Sequence, residues 1–141
     1  MGEADALFGD EHVRRYRETG GKVGHIWRED STILLLTTTG RTSGEKRTTP
    51  LIYAEDAGRY VIVASKGGAP DDPGWYKNLA KNPDVELQIK DEVFRARARV
   101  AHGEERARLW KEANKVWRYY DDYAKKTARE IPVVVLERVH G

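Results

Sequence analysis

Apolar residues in this chain fall into short unbroken runs and alternating stretches. From Ser31 to Thr39 a run of β-branched residues surrounds Leu34, Leu35 and Leu36. Such a run, followed by turn residues, predicts a buried strand. Arg47–Ala54 predicts a second strand. Pro50 lies inside it and donates no hydrogen bond, which suggests an edge or a bulge. Glu55-Asp56-Ala57-Gly58 is a tight turn signal, and Arg59–Ser65 predicts a third strand. Residues 31–65 thus read as an antiparallel meander. Val85, Leu87 and Ile89 alternate as a fourth, half-buried strand. In a fifth, Phe94, Ala96, Ala98 and Val100 oppose Arg95, Arg97 and Arg99, giving one apolar and one cationic face. Ile131–Val139 is the sixth, carrying the apolar run Val133–Leu136.

Helical spacing fills the intervals. Asp10–Glu18 predicts a short helix with Val13 and Tyr16 on one side, broken by Gly20, Gly21 and Gly24. A second helix begins near Pro73 and stops before Asn82-Pro83, with Trp75 and Leu79 on one face. Ala107, Trp110, Ala113, Asn114 and Trp117 predict one helix from Glu104 to about Ala128. Six strands with mostly short connections predict an α+β fold: a six-stranded, mostly antiparallel barrel with flanking helices. Residues 1–30 read as a polar, partly helical extension, and 31–141 as the main domain.

Composition narrows the chemistry. The 141 residues suit one domain. They are 39% hydrophobic and 34% charged, with a net charge of +2. Leu, Ile, Val and Phe make up about a fifth of the chain, near the level below which disorder sets in. Four tryptophans and seven tyrosines supply further core material. Having no cysteine, the chain has no disulfide, thiolate nucleophile or cysteine-held metal. No apolar run approaches a membrane span. Glu3 and Asp5 stand where a signal peptide would be basic, so a cytoplasmic setting is expected.

His12, His25, His102 and His140 lack ligand partners at close spacing, so no metal site is expected. The Arg95, Arg97, Arg99 face lacks aromatic platforms, with Phe94 opposite it, so nucleic acid is not expected as a partner.

Two segments carry ligand-binding chemistry. Between Gly40 and Arg47, two glycines let backbone amides turn inward, Thr42 and Ser43 add hydroxyls, and Arg41, Lys46 and Arg47 add cations. Such a loop can wrap a phosphate, or it can be a charged hairpin turn. Ala64-Ser65-Lys66-Gly67-Gly68 ends the third strand, where glycines let backbone approach a flat ligand. Trp75 and Asn78 follow on the second helix. Tyr120 and Tyr123 share a helix face at i, i+3. A neutral phenol can donate a proton or hydrogen bond at neutral pH.

These motifs resemble the deazaflavin-dependent nitroreductase family, which uses coenzyme F-420. The resemblance rests on Thr37-Thr38-Thr39-Gly40-Arg41, on Arg47 with Pro50-Leu51, on Ala64–Gly68, and on Trp75-Tyr76-x-Asn78-Leu79-x-x-Asn82-Pro83. It covers about Ile33 to Val139. It implies a split β-barrel related to flavin mononucleotide-binding oxidoreductases and hydride transfer from the reduced deazaflavin. By position, Arg41, Thr42, Ser43 and Arg47 would hold the cofactor's phosphate and acidic tail. Pro50 and Leu51 would pack near the ring. Ala64, Ser65, Lys66, Gly67 and Gly68 would line it, and Trp75 and Asn78 would close the groove. Tyr120 and Tyr123 would face a small hydrophobic acceptor: a quinone, enone, unsaturated lactone or nitro compound. Two departures stand out: Thr42 replaces a common lysine, and Trp117 a smaller aromatic. A flavin mononucleotide enzyme on the same barrel, or a non-catalytic deazaflavin carrier, are the alternatives. A monomer or homodimer with at most transient membrane contact is expected.

Overall fold

The computed structural model describes residues 3–139. His140 lies outside them. The strands are β1 (Ile26–Trp27), β2 (Ser31–Thr39), β3 (Lys46–Ile52), β4 (Ala54–Asp56), β5 (Arg59–Val63), β6 (Asp84–Ile89), β7 (Glu92–Val100) and β8 (Val133–Arg138). The helices are α1 (Gly9–Thr19), α2 (Gly74–Lys81), α3 (Gly103–Val116) and α4 (Tyr120–Lys126). Every strand pairing is antiparallel. The strand path runs β1-β2-β6-β7-β8-β5-β4, with β3 also paired to β2.

Two apolar runs organise this sheet. In β2, Leu34 and Leu36 point into the barrel core with Leu87, Ala96 and Leu136. Ile33 and Leu35, one residue out of phase, pack outside under Val13 and Tyr16 of α1. In β8, Val134 and Leu136 face the barrel core. Val133 and Val135 face Leu109 of α3. A period of two sends alternate residues to opposite faces, so a strand covered on both reads as a continuous apolar run. α1 is therefore packed against β2 through Val13 and Tyr16.

The structure corrects three details. Among the described residues eight strands form rather than six, the additional ones being β1 and β4, of two and three residues. The meander over 31–65 is interrupted at Tyr53. β3 pairs only β2, whereas β5 pairs β4 and β8. The helix expected to span Glu104 to Ala128 breaks at Trp117, which is extended (φ −138°, ψ 97°). The bulky run Val116–Tyr120 has weak helix propensity. Asp121 stitches the break by accepting from Trp110 Nε1 at 2.6 Å and from Asn114 Nδ2 at 3.2 Å.

Tyr16 fixes α1 in place. Its buried hydroxyl donates to the Ile33 carbonyl at 3.0 Å and accepts from the Lys90 N–H at 2.7 Å. Burial raises its pKa to about 12. Tyr16→Phe leaves both backbone groups unsatisfied and is expected to cost about 1–3 kcal/mol. Urea unfolding at pH 7.5 measures this.

Candidate active site

Curling of the sheet brings β3 and the end of β5 to the two sides of one cavity of about 530 Å³. That is within the range of small-molecule sites. Thr49, Pro50, Leu51 and Ile52 of β3 form one wall. Ser65, Lys66 and Gly67 form another, with Pro73 and Trp75 beside them. Trp117, Tyr120 and Tyr123 line the far end. The remaining wall comes from the N-terminal part, through Phe8, His12, Trp27, Arg28 and Ile33. Sequence reasoning missed this last group. The spacing of His12 and Tyr16, one helical turn apart and flanking Val13, carried the signal for a buried face.

The loop after β2 is held shut by its own hydrogen bonds. Gly40 N–H donates to the Glu45 carbonyl at 2.7 Å, and Gly44 N–H to the Gly40 carbonyl at 2.9 Å. Glu45 N–H donates to Ser43 Oγ at 3.1 Å. The amides of Gly40, Gly44 and Glu45 are thus used within the turn. Arg41, Thr42, Ser43 and Arg47 are exposed.

Asn78 fastens this loop to α2 rather than facing the cavity. It is buried, and its Oδ1 accepts from Arg41 N–H at 3.2 Å and from the Arg41 guanidinium at 2.9 Å. Its Nδ2 donates to Thr38 Oγ1 at 3.1 Å. Lys81 Nζ donates to the Arg41 carbonyl at 2.7 Å. Arg47 shares a β3 face with Thr49 and Leu51, because alternate residues point the same way.

The segment after β5 is a bent turn. Lys66 (φ 48°) and Gly67 (φ 63°) both adopt left-handed backbone. A Cβ added at Gly67 would meet nothing within 4 Å, so open space faces the backbone there. Gly68 instead packs on α4, where a Cβ would lie 2.8 Å from the Tyr123 carbonyl oxygen. Ala64 is buried, and its N–H donates to the Pro132 carbonyl at 2.9 Å. Neither Ala64 nor Gly68 lines the cavity.

Arg129, another residue missed from sequence, grips this turn. It donates to the carbonyls of Ser65 at 2.8 Å and Ala69 at 2.9 Å, and it pairs with Asp72 at 2.9 Å. Lys66 pairs with Asp71 at 3.0 Å.

At the aromatic end, Tyr120 and Tyr123 meet edge to face at 6.2 Å. Tyr120 is buried, and its hydroxyl has no hydrogen-bond partner among the described residues. Burial pushes its pKa well above the ordinary phenol value, so it stays neutral. His12 Nε2 donates to the Gly24 carbonyl at 2.8 Å, and burial lowers the His12 pKa.

A barrel opened along one side, with a flat aromatic cavity at the opening and a basic rim beside it, defines a split-barrel protein suited to a flat, anionic cofactor. Residues 9–138 match the family described as F420H(2)-dependent quinone reductase. The chain belongs to that family and is an oxidoreductase whose cofactor is coenzyme F-420. It is 45% identical over 130 residues to the F420H(2)-dependent quinone reductase Rv1261c of Mycobacterium tuberculosis, covering 90% of this chain and 87% of that one. A solved F420-H2 dependent reductase, FDR-A, is 47% identical with a TM-score of 0.70, covering 74% of this chain and 93% of that one. A structure described as a domain-swapped dimer is 42% identical with a TM-score of 0.72, covering 89% of this chain and 92% of that one.

Two outcomes follow from the site's geometry. The unfolded chain protonates His12 near pH 6.5, whereas the folded chain resists protonation. Stability therefore falls as the pH drops below about 6.5, because the unfolded state then binds more protons. Urea unfolding at pH 7.5 and 5.5 should show this slope, reduced in His12→Gln. Asn78→Ala frees the Arg41 loop and leaves buried Thr38 Oγ1 unpaired, costing about 1–3 kcal/mol. Thermal unfolding compared with the native chain measures that loss.

Proposed function

We propose that this chain reduces quinones with electrons from reduced F-420, the deazaflavin ring lying in the 530 Å³ cavity between Pro50-Leu51 and Ser65–Gly67. The observation that carries this reading is the combination of flat walls with a cationic strand end. Arg47 stands three residues from Pro50, or about 10 Å along β3. A ring against Pro50 and Leu51 can thus extend its phosphorylated, acidic tail toward Arg47, Arg41, Thr42 and Ser43. Arginine forks suit phosphate and carboxylate oxygens. Trp75 borders the ring site, while Asn78 acts at one remove by holding Arg41.

When bound, the reduced cofactor supplies a hydride. The chain's own groups do the rest. The open backbone at Gly67 permits close approach of a planar ring. Lys66, beside it, adds positive charge. The aromatic end, with Trp27, Trp117, Tyr120 and Tyr123, excludes water and stacks a flat acceptor. The Tyr120 and Tyr123 hydroxyls are donors able to protonate the oxyanion that forms as the acceptor is reduced. Enones, unsaturated lactones and nitro compounds share the planar, electron-poor character that this wall accepts.

Among the described residues, no helix is long and apolar enough to cross a membrane. Phe8, 74% exposed at the cavity lip, and Arg28 beside it suit transient contact with a quinone-bearing lipid surface. The relative described as a domain-swapped dimer supports a homodimer for this chain.

Titration of F-420 fluorescence with the purified chain is expected to give micromolar binding, with flavin mononucleotide binding much more weakly. Adding a soluble naphthoquinone to the chain and reduced F-420 should restore the absorbance of the oxidised cofactor. Binding without such turnover would indicate a carrier, and preferential flavin binding would overturn the cofactor assignment.

A further inference from the structure

The mouth of the aromatic end is built around one directed hydrogen bond. Trp117 Nε1 lies 3.2 Å from Tyr123 Oη. An indole nitrogen can only donate, so the phenol oxygen must accept. The Tyr123 O–H is then left to point elsewhere. No acceptor for it exists among the described residues, and both side chains line the cavity.

The direction of that bond is held from outside. The Trp117 ring stacks on Trp27, with centroids 5.8 Å apart and planes 23° apart. The Tyr119 ring meets its edge at 5.0 Å. Trp27 is itself tied by Nε1 to the Leu7 carbonyl at 3.1 Å, and the Arg28 guanidinium lies 4.5 Å over its ring. Glu29 and Arg118, the next residues out, pair at 2.8 Å across the same junction. The indole is thus clamped between the N-terminal segment and the break separating α3 from α4.

The two tyrosines differ in what supports a negative charge. Loss of the Tyr120 proton would leave a phenolate in an aromatic setting with no hydrogen-bond donor among the described residues. Loss of the Tyr123 proton would leave a phenolate that already accepts from Trp117, with Lys126 Nζ 5.7 Å over its ring. The indole N–H can donate to the Tyr123 oxygen before and after the phenol gives up its proton.

Resting on the quinone reductase reading above, we infer that Trp117 is a positioning residue: its indole N–H fixes Tyr123 so that the Tyr123 O–H faces the acceptor, making Tyr123 the proton donor of the pair. The step balances simply. The quinone gains two electrons and one proton as hydride, and the reduced cofactor is oxidised by the same two electrons. The Tyr123 O–H bond breaks as a new O–H bond forms on the hydroquinone anion. The Tyr123 phenolate then regains a proton from solvent.

A double-mutant cycle tests this with F-420 and a soluble naphthoquinone. Trp117→Phe keeps an aromatic ring but removes the donor. It is expected to lower kcat about tenfold, with KM and F-420 affinity changing less than about twofold and the solvent isotope effect on kcat rising. In a Tyr123→Phe background the same change should have almost no further effect on kcat. An equal loss in both backgrounds would overturn the proposal, since Trp117 would then act only as a wall. If Tyr123→Phe alone leaves kcat and the isotope effect unchanged, the proton-donor reading itself fails, a different result. A second readout needs neither cofactor nor a Trp117 variant. In the cofactor-free chain, Tyr123→Phe should move the Trp117 indole N–H proton resonance upfield, and an unmoved resonance would overturn the hydrogen bond.

Discussion

The burial of β2 on both faces is the constraint on which the rest depends. A strand with one solvated face would let α1 and the N-terminal segment float. Here Ile33 and Leu35 must be covered, and Val13 and Tyr16 cover them. The Tyr16 hydroxyl then locks the helix to β2 and to the β6–β7 turn through Ile33 and Lys90. With α1 fixed, Phe8 and His12 reach the cavity from outside the barrel. Leu34 and Leu36, on the opposite face, hold the barrel core against Leu87 and Leu136. One nine-residue strand thus couples the core to the wall of the site.

The site inherits this two-sided construction. Two cavity walls, Thr49–Ile52 of β3 and Ser65–Gly67 just after β5, come from segments far apart in the sheet order and meet because the sheet curls. The aromatic end of the cavity is assembled from Trp27 and Trp117, which are ninety residues apart in sequence and stacked at 5.8 Å. Neither wall carries a nucleophile or metal ligand set, which suits an enzyme whose reactive group is its cofactor and whose residues orient and protonate. Much of the surface charge has structural work instead. Arg99, on the cationic face of β7, holds Glu105 at 2.6 Å and Glu137 at 3.1 Å.

The strands were legible because burial leaves a period-two trace: Phe94, Ala96 and Ala98 alternate, and Val133–Leu136 runs unbroken. Their pairing was less so. That β5 joins β8 rather than β3 depends on contacts some seventy residues apart, which no local pattern encodes. β1 and β4 were too short to show a period. In the site, Pro50, Leu51, Ser65, Lys66, Gly67, Trp75, Tyr120 and Tyr123 were named from sequence and line the cavity. Asn78 was named too, but its amide is used on Thr38 and Arg41, and only side-chain geometry reveals that. Phe8 and Trp27 went unnamed because isolated aromatic residues in a polar segment show no periodicity, and His12, though at helical spacing from Tyr16, was weighed only as a metal ligand.

The most direct measurement is a crystal structure of this chain with F-420 bound. The expected result places the deazaflavin ring against Pro50, Leu51 and Gly67, with its tail toward Arg47 and with Tyr120 and Tyr123 on the ring's open side. A ring outside the cavity, or one that buries both tyrosine hydroxyls away from the acceptor space, would contradict it.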